Sequence, residues 1–76
     1  MGDRELVARL DDPDGWLVLD SMGTPLATSL TLRHALHQVQ LLLSGGVMAG
    51  SMVRDAGPRL VVPMDQIYRM CSVAWD

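Results

Sequence analysis

Leu17-Val18-Leu19-Asp20-Ser21-Met22-Gly23-Thr24-Pro25-Leu26-Ala27 and, in the second half of the chain, Met52-Val53-Arg54-Asp55-Ala56-Gly57-Pro58-Arg59-Leu60-Val61 share one plan. In each, an apolar run meets an Asp, a Gly and a Pro within a few residues, and a second apolar run follows. Asp offers its side chain to nearby backbone N–H groups, Gly reaches positive φ and Pro fixes φ, so both stretches predict a tight turn between two strands. Each leads into residues with helical spacing. The expected fold is therefore α+β: two β-hairpins in a four-stranded, mainly antiparallel sheet, each followed by a helix (ββαββα), after a short N-terminal element. The first hairpin–helix unit spans residues 15–45 and the second 47–75, within one domain covering 1–76.

The helix of the first unit is the most clearly marked. Ser29 or Thr31 can cap it, Leu32, Ala35, Leu36, Val39, Leu42 and Leu43 form its apolar stripe, and Gly45-Gly46 ends it. Leu36, Val39 and Leu43 are expected to face the sheet. In the second unit, residues 47–53 have a strand's length, and Gly50 within them signals a bulge or a close approach of backbone. Arg59-Leu60-Val61-Val62 predicts the next strand, with Pro63 placed to stop it and open a helix. Ile67, Met70, Cys71 and Ala74 give that helix its stripe, with Asp65 near its positive end. Residues 4–10 suit a short helix or an edge strand equally, with Leu6, Val7 and Leu10 at helical spacing.

Composition limits the partners. The chain has 76 residues and a net charge of −3, and its six basic residues are all arginine, the usage of a GC-rich genome. An acidic chain does not favour nucleic acid, whose phosphates are neutralised by Lys and Arg. No segment approaches the roughly 20 apolar residues that cross a bilayer, so no membrane partner is expected. The mixed charges of Met1-Gly2-Asp3-Arg4-Glu5 do not read as a secretory signal, and a single cysteine fits a reducing, cytoplasmic setting.

Chemistry-bearing constellations are missing. His34 and His37 stand three apart on the helix, but two imidazoles with no further ligand nearby fall short of a metal site, and no carboxylate is placed to orient either as a base. Cys71 sits on an apolar stripe, and no serine lies in a Gly-x-Ser-x-Gly elbow. Gly45 to Gly50 is glycine-rich but follows a helix, whereas phosphate loops precede one. No catalytic residue, cofactor or metal is expected. The methionines at 48, 52 and 64 fit core packing better than an adaptable binding surface.

What remains is apolar surplus: 49% of the residues are hydrophobic, in a chain whose size buries only about 60% of its unfolded surface. Leu17 and Leu19 point away from Trp16 and Val18, Leu41 lies on the outer side of the central helix beside His34 and His37, and Trp75 closes the chain. These predict a non-enzymatic interaction or regulatory module, a homodimer with a further protein partner, whose surface draws on Leu41, His34, His37, Trp75, Arg54 and Arg59. The second reading is a nucleic-acid-associated regulator of the antitoxin kind, presenting Arg54 and Arg59 on a hairpin. The third is an enzyme whose site is shared across a dimer interface.

Overall fold

A computed structural model describes the backbone of residues 2–75 and the side chains of residues 2–72. The elements are α1 (Asp3–Ala8), β1 (Trp16–Leu19), β2 (Pro25–Ser29), α2 (Leu32–Ser44), β3 (Ser51–Arg54), β4 (Val61–Pro63) and α3 (Met64–Trp75). The strands form one antiparallel sheet in the order β2-β1-β3-β4, so the two hairpins meet through their first strands. The expected ββαββα arrangement is present, and the N-terminal element is a helix. Leu6 and Leu10, one helical turn apart, are both buried, while Val7 between them is exposed.

The two turns are closed by different chemistry. In the first, the Asp20 carboxylate accepts from the backbone N–H groups of Met22 (2.9 Å) and Thr24 (2.8 Å), and Gly23 takes φ +86°. In the second, the clamp is Arg54 rather than Asp55. Its Nε and Nη2 donate to the carbonyl of Pro58 at 3.1 and 2.7 Å. Asp55 instead donates its backbone N–H to Gly15 O, and Ala56 donates to Asp14 O, which fastens this turn to the acidic turn before β1.

Thr31 caps α2, its Oγ1 accepting from His34 N, while the other candidate, Ser29, is buried on β2. At the far end Gly46 N donates to Leu43 O and Val47 N to Leu42 O, with Gly46 at φ +85°, the paired bonds of a glycine-terminated helix. Leu32, Ala35, Leu36 and Val39 are buried and Leu42 packs against the core. Leu43, expected on the buried stripe, is exposed. Thirteen helical residues run about 20 Å, and strands of three to five residues span only about 10–17 Å, so the last turn of α2 outruns the sheet.

Residues 47–50 are not strand, contrary to expectation. Their backbone donors go elsewhere: Val47 to Leu42 O, Ala49 to the Tyr68 hydroxyl, Gly50 to Leu19 O. Gly50 marks the close approach that its position suggested, within reach of the Asp20 carbonyl. The fourth strand begins at Val61, two residues later than expected, because the Arg54–Pro58 clamp holds residues 58–60 in the turn; Pro63 is its last residue and α3 starts directly after it.

Helix α2 lies against β1 and β2, and α3 against β3 and β4, so each unit's helix covers its own hairpin. Trp16, Val18, Met52 and Val62 supply the sheet's half of the core, and Ile67, Met70 and Cys71 join from α3. Met48 and Met64, expected in the core with Met52, are exposed. Helix α1 is tied to α3 by a two-pronged ion pair, Arg69 Nε and Nη2 on the Asp3 carboxylate at 2.9 and 3.2 Å, with Gln66 Nε2 adding a third bond at 3.0 Å. The predicted stripe residue Ala74 and the predicted contact residue Trp75 lie outside the described side chains.

Candidate functional site

Period-two alternation sends Trp16, Val18, Met52, Arg54 and Val62 to the helix-covered face of the sheet and Leu17, Leu19, Val53 and Val61 to the other. Among the described residues no helix lies on that second face. The register lines its side chains into a row: Thr28 beside Leu17, Leu17 beside Val53, Val53 beside Val61, with Leu19 next along β1. Leu17, Leu19 and Val53 are half-buried, and Val61 at the edge is 51% exposed. An antiparallel sheet with one open face ordinarily turns polar residues to water. Here the open face is aliphatic from its centre to one edge.

At one end of this row the β3–β4 turn stands over the sheet and closes an open hollow of about 390 Å³. Leu17, Leu19 and Val53 line its apolar part, and Asp55, Gly57 and Arg59 contribute from the turn. Asp55 and Arg59 are exposed, and among the described residues neither makes an ion pair or a side-chain hydrogen bond. The hollow thus has an aliphatic floor and one exposed charge of each sign on its rim.

The residues singled out from sequence fall in three places. Arg59 is on the rim. Arg54 also lines the hollow, but its guanidinium is committed to Pro58 O and the residue is only 8% exposed. His34, His37 and Leu41 are exposed together on the outer side of α2, on the opposite side of the molecule from the open sheet face, with Gln38 donating from Nε2 to His34 Nε2 at 3.1 Å. No group of three His, Cys, Asp or Glu side chains able to hold a metal occurs among the described residues. Cys71 is buried against Leu36 O, and burial pushes its thiol pKa up, away from thiolate chemistry. Leu17 and Leu19 were recognisable from the apolarity of both faces of β1. Val53 and Val61 were not singled out, though each alternates with a core residue, Met52 or Val62, and that alternation is the signal that places them on the open face. Neither a family model, nor a curated protein, nor a solved structure matches this chain.

Proposed function

We propose that this protein is a non-enzymatic protein-interaction module that works as a homodimer. The observation that carries the reading is the open sheet face, where Leu17, Leu19, Val53 and Val61 form a continuous aliphatic row with no described helix over it. Apolar area of this kind gains roughly 25 cal/mol per Å² when removed from water, and on a small domain it marks a contact surface. The side of α2 bearing His34, His37 and Leu41 points the other way and remains available to a second, different protein while the sheet face is occupied.

The arginine-hairpin reading has less support, because the Arg54 guanidinium is buried in its own turn and leaves Arg59 as the accessible cation there. A site shared across an interface would draw on Asp55 and Arg59, and a lone carboxylate beside an arginine lacks the second acid–base group that proton transfer needs. Sedimentation velocity across the micromolar range tests the proposal. A concentration-dependent shift to twice the monomer mass is expected, and a protein that stays monomeric at the highest concentrations without precipitating would count decisively against it.

A further inference from the structure

The geometry points to a two-fold dimer in which the open sheet faces pack against each other and Arg59 of each subunit pairs with the partner's Asp55. This rests on the homodimer reading above and adds the surface and the charge pair that fix it.

Three surfaces compete for the role. The edge strands are poorly suited. Strand β4 has three residues and ends in Pro63, and β2 begins with Pro25, so neither offers a long run of free backbone donors for sheet extension. The outer side of α2 is mostly polar, with His34, His37 and Gln38 around a single leucine. The open sheet face is aliphatic, and face-to-face packing of sheets at about 10 Å lets Leu17, Leu19, Val53 and Val61 interdigitate with their copies.

Charge identifies the occupant as a second copy. In a two-fold interface the same patch serves both sides, so it must be complementary to itself. Arg54 being buried and bonded to Pro58 O, the rim of the hollow meets that condition with one exposed anion and one exposed cation, Asp55 and Arg59, four residues apart on one turn. A two-fold axis lying between the faces, perpendicular to the line between these residues and passing above its midpoint, sets each Arg59 over the partner's Asp55. Symmetry makes two such pairs per dimer. A foreign partner would need no such balance; an acidic or a basic one would be better served by a rim of one sign.

The test uses the whole chain in three forms: wild type, Arg59→Asp and Asp55→Arg. Both positions are exposed, and circular dichroism checks that each variant keeps its fold. Each variant alone carries like charges at both contacts, and its dimer dissociation constant should rise about tenfold or more. Mixed together, one supplies two acids and the other two arginines, so the mixture should dimerise at wild-type concentrations, and so should the double variant Asp55→Arg/Arg59→Asp. If the single variants dimerise as well as wild type, the interface lies elsewhere and the inference falls while the homodimer stands. If they dissociate but mixing fails to restore the dimer, the cross-pairing is wrong. A monomeric wild type removes both.

Discussion

At Gly50 the chain runs so close to the end of β1 that an added methyl group lands 2.6 Å from the carbonyl oxygen of Asp20 and 2.7 Å from the Cα of Ser21. Both are backbone atoms, so neither can swing aside. Gly50→Ala should cost about 1–3 kcal/mol, the range for forcing extra volume into packed structure, and should lower the urea midpoint markedly. An unchanged midpoint would mean that the two segments are not in contact. Arg54 shows the opposite case, a residue whose role was hidden. Spacing puts it on the same face as Met52, but a guanidinium beneath a sheet is costly unless its donors are satisfied, and the acceptor is a carbonyl four residues on. Nothing in the local sequence announces that partner. Asp20 was legible: an Asp carboxylate that accepts from backbone N–H groups two and four residues on follows from turn chemistry alone.

Among the described residues, α2 carries the most core. Leu36 is fully buried at its middle, and Leu36→Ala should cost about 2–5 kcal/mol by urea denaturation, a large share of the stability of so small a domain. Helix α1, six residues long, is too short to persist by itself and depends on what holds it. Hydrogen bonds from Arg69, then Gln66, keep the Asp3 carboxyl below the ordinary aspartate pKa, and those from Arg33 do the same for Asp11 just beyond the helix. A carboxylate whose pKa is depressed in the folded state stabilises above its unfolded pKa, about 3.9, and that contribution disappears as the pH falls through the folded value. The melting temperature should therefore be flat around neutrality and drop below about pH 4. Asp3→Asn/Asp11→Asn should melt lower than wild type at pH 7, and the two curves should converge in acid. Parallel curves would show that these pairs hold nothing. Helices with strong periodicity and caps, α2 above all, were legible to within a residue or two. Strand limits around 47–50 and 58–60 were not, because tertiary bonds to Tyr68, Leu19 and Arg54 decide them.

For the whole molecule, hairpin turns could be read locally but the strand order could not. The β1–β3 pairing joins segments separated by all of β2 and α2, and no short-range signal specifies it. Placing those strands at the centre also put Leu17 beside Val53, and so created the aliphatic row that neither hairpin holds alone. Val53→Asp should abolish self-association while the protein keeps its secondary structure, since Val53 lies outside the core; loss of fold instead would show that this face is needed internally. The same central pairing has one more effect. Each hairpin carries its own helix, and the two units are joined covalently by the exposed stretch Gly45–Met48. That link acts mainly by proximity, giving one unit an effective concentration of about millimolar for the other. The molecule is in this sense a tethered pair of half-domains. A protease site placed in the stretch and cut after folding should leave a nicked protein that still elutes as one species, its fragments separating only on dilution or in denaturant.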